Sequence, residues 1–481
     1  MMPYVKLNCA AISTELFKRF LTTFNDYFYT YILIILLLFF GLYFSFRTRF
    51  VQFRLFGEQI RAVTEKPDDK SSVSSFQALM LSTASRVGTG NIIGVSTALC
   101  IGGFGSVFWM WVVAIVGSAL AFVESTLAQI FKKRGKDGSF GGPAYYIEAA
   151  LKSRPAAIIF SVLLIMTYGV GFNMLTSYNL QSTFSQYSFY NAQTSPFIIG
   201  LITAALVGFC LLGGGKGIVR ITSVLVPFMG IIYILSAFVV VVLNFNMLPA
   251  VFRTVFTEAF DVKAIFGGFS GSCVMYGIKR GLLSNEAGVG SAPNASAAAR
   301  VTHPVKQGLV QVLSVSIDTL LICSATAFMC MCSGVEPSAE ISGARYVQLS
   351  VEATLGSIGP VIITVAMVLF AFTTLIGNMY YVDLCVVYII NREMSRRLSV
   401  IMRIFQSTLT FVGAVLSADV LWNIADITMG LMIIINVPVI AFLSKYAFRA
   451  LEDYEKQKSE GLNPVFKVKS IRLPYKVDYW E

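Results

Sequence analysis

The stretch Ser85-Arg86-Val87-Gly88-Thr89-Gly90-Asn91-Ile92-Ile93-Gly94, SRVGTGNIIG, interrupts an apolar, helix-like run from Phe76 to Cys100. Glycines, a threonine, an asparagine and an arginine occupy the middle of a segment otherwise fit to cross a bilayer. In hydrocarbon each unsatisfied backbone group costs several kcal/mol, so unwound backbone survives only where it faces protein or a water-filled cavity. The break therefore marks an interior site if the chain spans a membrane.

Composition says that it does. The 481 residues are 56% hydrophobic and only 13% charged, well below the roughly 25% charged residues of soluble domains. Apolar runs long enough to span recur along the chain, roughly at 28–46, 76–100, 104–131, 156–187, 196–212, 221–246, 262–280, 305–333, 357–391, 400–417 and 421–446. The expectation is an all-α polytopic membrane protein with eleven transmembrane helices. Most Lys and Arg fall on one side, in 47–70, 132–154, 216–220, 279–306, 392–403 and 445–476. Short basic loops stay cytoplasmic, which puts the N-terminus outside and the C-terminus inside. The net charge of +11 then reflects topology and contact with a lipid bilayer, not a nucleic-acid footprint. No obligate protein partner is called for.

A second glycine-rich interruption lies at Ile265 to Gly277, IFGGFSGSCVMYG. Counting the second span as the first core helix, the two interruptions fall in helices one and six, which enter the membrane from opposite sides. That is the pattern of an inverted repeat whose broken helices meet at a midplane site. The division is an N-terminal segment and extra helix (1–71), a first five-helix repeat (72–246), an extracellular connection with a second inverted repeat (247–446) and a basic cytoplasmic tail (447–481). The tail reads equally as an amphipathic segment on the inner leaflet or as a solvated, partly disordered one.

Catalytic chemistry finds no footing. The chain lacks G-x-S-x-G and H-E-x-x-H, and its one histidine, His303, reads as part of a loop before Pro304. SNEAG, Ser284 to Gly288, reads as an intracellular loop without a partner base. The cysteines show no metal-ligand spacing and are read as small packing residues. A channel would need acidic rings or a repeated carbonyl filter, and neither is present.

Two long blocks carry a resemblance. ASRVGTGNIIGVSTALCIGGFGSVFWMWVVAIVGSALAFVESTLAQIFKK, with GGPAYYIEAAL after it, is similar to the alanine or glycine:cation symporter family, also called sodium:alanine symporters. So is GIKRGLLSNEAGVGSAPNASAAARVTHPVKQGLVQVLSVSIDT, Gly277 to Thr319. The resemblance implies a leucine-transporter-like fold of ten core helices in two inverted five-helix repeats, here with one extra helix in front. It implies uptake of a small neutral amino acid such as alanine or glycine, coupled to a cation, with sodium as coupling ion and no further cofactor. The alternative is proton-coupled transport of a larger or more polar neutral amino acid.

By the same resemblance the substrate carboxylate meets the N–H groups of Thr89, Gly90 and Asn91, and its ammonium meets unwound carbonyls at Gly267, Gly268, Phe269 and Gly271. Gly90 is expected to need a conformation that a Cβ disfavours. Sodium would take the carbonyls of Ala84, Val87 and Phe370 and the hydroxyls of Thr373 and Thr374, oxygen ligands suited to a hard cation. Two positions depart from the family pattern: Asn378 stands where a Trp is usual, and Thr176 where a Gln is usual. Both resemble pocket-lining positions, so a larger or more polar substrate fits the departure. Arg86 either neutralises the carboxylate or pairs with an acid such as Asp318, Asp383 or Glu124; structural pairing is favoured.

Overall fold

The computed structural model describes residues 21, 23–65, 72–135, 138–261, 273–416 and 418–480. Eight helices among them are long and apolar enough to cross a membrane: α1 (Thr23–Arg47), α5 (Ser106–Ile130), α7 (Arg154–Gln186), α9 (Gly214–Leu243), α13 (Pro304–Met331), α15 (Ile358–Ile390), α16 (Arg396–Val415) and α17 (Leu421–Ser459). Between them lie α2 (Phe56–Thr64), α3 (Ser75–Arg86), α4 (Gly90–Gly102), α6 (Pro143–Leu151), α8 (Ser195–Leu211), α10 (Leu248–Ala259), α11 (Cys273–Asn285), α12 (Ala292–Ala298) and α14 (Ala344–Leu355). A two-stranded hairpin, β1 (Lys133–Gly135) and β2 (Gly138–Phe140), follows α5.

Local chemistry sets the helix ends. Ser74 caps α3 in a reciprocal box with Gln77, which satisfies two of the orphaned donors. Ser395 caps α16 by accepting from Leu398 N–H at 3.2 Å. Along α9, Val224, Phe228, Ile231, Leu235, Phe238 and Val242 are exposed. An apolar stripe of that length left uncovered by protein is the surface that lipid covers.

Inside, small residues let helices close on one another. Gly281 of α11 packs so near α5 that a Cβ would sit 3.3 Å from Met110 Cα. Gly277, one turn earlier, has no room for a Cβ beside Ser106 and Trp109. It is therefore a packing glycine inside a helix, not part of a break.

Two groups expected on a basic face are interior. Lys279 and Arg280 are 6% and 8% exposed. Lys279 Nζ lies 3.0 Å from Asp426 Oδ2, and the Arg280 guanidinium stacks 4.2 Å from the centroid of Trp422. Hydropathy counting treats such charges as a loop signal, although partners on other helices make them tolerable at depth.

The tail is ordered and anchored to the rest of the protein, although many of its side chains stay exposed. Its first part continues α17 to Ser459, and the rest folds back on the protein. Phe466 N–H donates to Thr302 O at 2.9 Å, Ile471 is fully buried, and Trp480 Nε1 donates to Gln129 O at 2.7 Å. Lys132 Nζ lies 3.8 Å from the Tyr479 ring centroid and donates to Ala299 O at 2.9 Å. His303 belongs to the same contact. It is fully buried, its Nδ1 accepts from Val305 N–H at 3.3 Å, and burial holds its imidazole below its ordinary pKa. Removing residues 464–481 should lower the thermal unfolding midpoint in detergent, and Trp480→Ala alone should cost about 1–2 kcal/mol. An unchanged midpoint in both would show that the tail is not docked in solution.

Candidate functional site

The first break is where the sequence places it. α3 ends at Arg86, and Val87 leaves the helix with ψ 89°. Its N–H still returns to Thr83 O at 2.7 Å. Gly88 N–H donates to Asn91 Oδ1 at 2.8 Å, while Asn91 N–H donates to Gly88 O at 3.2 Å. These reciprocal bonds close the gap before α4 resumes in a widened, π-helical turn, Gly90–Gly94. The N–H groups of Thr89 and Gly90 have no acceptor among the described residues. The Asn91 N–H is spent, which removes it from the expected set of carboxylate donors.

Gly90 is not the constrained glycine. It is not left-handed, and among the described residues nothing lies within 4 Å of where its Cβ would be. Gly88 is the constrained one, because a Cβ there would run into Thr374 Oγ1.

The residues Gly267, Gly268, Phe269 and Gly271 lie outside the described residues. A helix break does appear further on, where α11 stops at Asn285 and α12 begins at Ala292. Glu286, Gly288 and Gly290 between them have φ of 52°, 79° and 91°. The whole segment is buried, so SNEAG is not a solvated loop. Gly288 N–H donates to Glu124 Oε1 at 3.3 Å, Asn436 Nδ2 donates to Gly288 O at 2.9 Å, and Ser291 Oγ donates to Glu286 Oε2 at 2.6 Å. The sequence signal was the pair of glycines two apart in EAGVG.

The two breaks touch. Asn91 Nδ2 donates to Ser284 Oγ at 2.9 Å and to Asp318 Oδ1 at 2.7 Å. Ser284 Oγ and Thr319 Oγ1 donate to Asp318 Oδ2 at 2.7 and 2.8 Å. Asp318 itself lies in another π-helical turn, Ser316–Cys323, a departure frequent at functional sites.

α15 faces the first break across its expected ion ligands. Thr374 Oγ1 donates to Ala84 O at 3.1 Å, joining the two helices. Thr373 Oγ1 instead bonds back along its own helix, to Phe370 O at 3.0 Å and Leu369 O at 3.1 Å. Val87 and Phe370 are both buried nearby in the packing of α3 and α15.

α7 supplies a polar row of i, i+3 spacing: Asn173, Thr176 and Asn179. Asn179 Nδ2 donates to Thr89 Oγ1 at 3.0 Å. Thr176 is 4% exposed between these two asparagines. Asn378 is fully buried and both ends of its amide are engaged with protein. Ser85 Oγ donates to its Oδ1 at 2.6 Å, and its Nδ2 donates to Asn173 Oδ1 at 3.1 Å.

Arg86 forms none of the expected acid pairs. Its Nη1 donates to Gln311 Oε1 at 2.9 Å, and Nε and Nη2 are buried without a hydrogen-bond partner among the described residues. Asp383 is taken by Arg403, 2.8 Å away, and Glu124 and Asp318 are taken by the neutral donors above. Gln311, facing the end of α3, takes the guanidinium's hydrogen bond in their place.

A cavity of about 1160 Å³ opens between the start of α3, the β1–β2 hairpin, the start of α9 and the end of α15. Gln77, Lys216, Tyr380, Tyr388 and Asp478 are among its walls. Asp478 places this cavity beside the tail.

Residues 14–468 match the model of the Sodium:alanine symporter family. The Amino-acid carrier protein AlsT of Bacillus subtilis is 41% identical over 457 residues, covering 95% of this chain and 96% of that protein. The Probable sodium/glutamine symporter GlnT of the same organism is 40% identical, with 95% and 94% covered. The Sodium/alanine symporter AgcS of Methanococcus maripaludis is 33% identical, with 93% and 99% covered. Among solved structures, MhsT in complex with L-phenylalanine aligns over 81% of this chain and 93% of that one, with TM-score 0.54 and 13% identity. The manganese transporter of Eremococcus coleocola aligns over 83% and 84%, with TM-score 0.52 and 12% identity. These last two likenesses concern the fold alone.

Proposed function

The chain belongs to the sodium:alanine symporter family, and on that premise we propose that it couples sodium entry to uptake of a neutral amino acid by alternating access. It is a multi-pass transporter of amino acids with a coupling cation, not an enzyme. The observation that carries the finer reading is the meeting of two helix breaks beside unpaired Thr89 and Gly90 N–H groups. The N-terminus of α4 presents those donors and the positive end of its dipole to a carboxylate. The C-terminus of α11 presents carbonyls to the ammonium, alongside those expected at Gly267, Gly268, Phe269 and Gly271. Sodium takes the carbonyls of Ala84, Val87 and Phe370 with the hydroxyls of Thr373 and Thr374.

In this reading α1 is the extra helix. α3 with α4 and α11 with α12 are the broken helices of two inverted repeats, giving eleven spans in all. The cavity beside the tail is the cytoplasmic way out, with the N-terminus outside. The substrate lies in the range from alanine to glutamine, the substrates named for two of the relatives. Asn179 and Thr176 provide polar groups on the α7 wall for a longer polar side chain.

Proton coupling is the second reading, favoured by Glu124, Glu286 and Asp318. These three fully or almost fully buried carboxylates are held by neutral donors with no ion pair to Arg86. Purified protein in liposomes, given a panel of labelled neutral amino acids, separates the readings. Uptake that needs an inward sodium gradient supports the first; uptake driven by a pH gradient without sodium replaces it with the second. Saturation with substrate, against uncoupled conductance, excludes a channel.

A further inference from the structure

Asn378 lies at the centre of a buried hydrogen-bonded chain that no substrate contact explains. Ser85, Asn378, Asn173 and Gln406 follow one another at 2.6, 3.1 and 3.4 Å, all buried. The chain runs from the last turn of α3 through α15 to α7 and α16. Ser85 and Arg86 separate Ala84 from Val87, the two residues of this segment whose carbonyls the sodium reading takes as ligands.

The same face of α15 carries three contacts with that segment, at i, i+3 and i+4. Thr374 reaches Ala84 O. Gly377 lets the helices close until a Cβ would sit 3.2 Å from Ser85 N and 3.4 Å from Ala84 C. Asn378 then takes the Ser85 hydroxyl. The fit is tight on the other side too, since Gly88 abuts Thr374.

We propose that Asn378 is a positioning residue for the coupling cation: its amide seats the Ala84–Val87 segment against α15 and ties it to α7 and α16. This rests on the sodium reading above. A buried amide left unpaired is penalised, so the chain forms as a unit or exchanges its partners for water when α3 moves. The cation, bridging Ala84 O and Thr374, favours the seated arrangement. The seated arrangement in turn raises cation affinity, as reciprocal coupling requires. An indole at this position would have no hydroxyl-accepting group and could not complete the chain.

The test is sodium dependence of uptake for Asn378→Leu, Ser85→Ala and the pair combined, with thermal unfolding in detergent measured alongside. Each single change should raise the half-saturating sodium concentration about tenfold, the scale of one buried hydrogen bond. The double change should do no more than either single one. The amino-acid KM at saturating sodium should stay within about twofold. Ser85→Thr, which keeps the hydroxyl, should restore the affinity that Ser85→Ala loses.

Additive effects, or an altered KM with unaltered sodium dependence, would overturn the proposal and return Asn378 to the pocket wall. Thr374→Val is the reference. If it shifts the sodium dependence and Asn378→Leu does not, only the positioning role fails. If neither shifts it, the sodium site itself is misplaced.

Discussion

Gly88→Ala should reduce sodium-dependent uptake by about 100-fold, whereas Gly90→Ala should leave a folded transporter with a raised KM for the larger substrates. The two glycines sit two residues apart in the same break and differ only in what a methyl would meet. At Gly88 it would collide with Thr374 Oγ1. Thr374 cannot yield without losing its bond to Ala84 O, because its helix is already in close contact at Gly377. Overpacking of this kind costs about 1–3 kcal/mol, and here it falls on the pair of helices that hold the proposed cation. At Gly90 the methyl meets no atom of the described residues and lies next to the N–H groups of Thr89 and Gly90, where a substrate would lie. Uptake kinetics and unfolding midpoints of both purified variants check this. Comparable damage from the two would mean that α15 does not press on α3 as described.

The first break was legible because Gly88, Thr89, Gly90 and Asn91 lie in a run too apolar to be anything but a span. Of the second stretch, IFGGFSGSCVMYG, Gly267 to Gly271 lie outside the described residues, while Gly277 serves contact with Ser106 and Trp109. Composition does not separate a glycine that bends a chain from one that admits a neighbour. The left-handed residues at Glu286, Gly288 and Gly290 were hidden by the charges around them. Lys279, Arg280 and Glu286 read as the solvated end of a span, when their partners Asp426, Trp422 and Ser291 lie far away in sequence or across the break. Long-range pairing was likewise what decided Arg86, which found Gln311 rather than an acid, and the tail, which found Gln129 and Thr302. The resemblance supplied what periodicity could not: that Thr374, some 290 residues from Ala84, would come to lie against it.

That contact gives the sharpest handle on coupling. Thr374→Val replaces the hydroxyl by a methyl at nearly constant volume, so it removes one oxygen while keeping the contact with Gly88. The Thr374 hydroxyl donates to Ala84 O at 3.1 Å. A hard cation bound between them would turn the hydroxyl so that its oxygen, like the carbonyl, faces the ion. Interactions of a polar group with a charge are worth about 1.5–3 kcal/mol, so half-saturating sodium should rise by about 10- to 100-fold. Thr373→Val should do less. Its hydroxyl is committed to Phe370 O and Leu369 O on its own helix, and its gain as a ligand is offset by breaking those bonds. Thr374→Ser should stay close to the parent protein. Sodium titrations of uptake in liposomes rank the three. If Thr373→Val proves the more damaging, the ion sits nearer Met229 of α9, 3.4 Å from the Thr373 hydroxyl, and Ala84 is not its ligand. A sodium dependence unmoved by all three would place the coupling ion among the carboxylates around Asp318, where the two helix breaks meet.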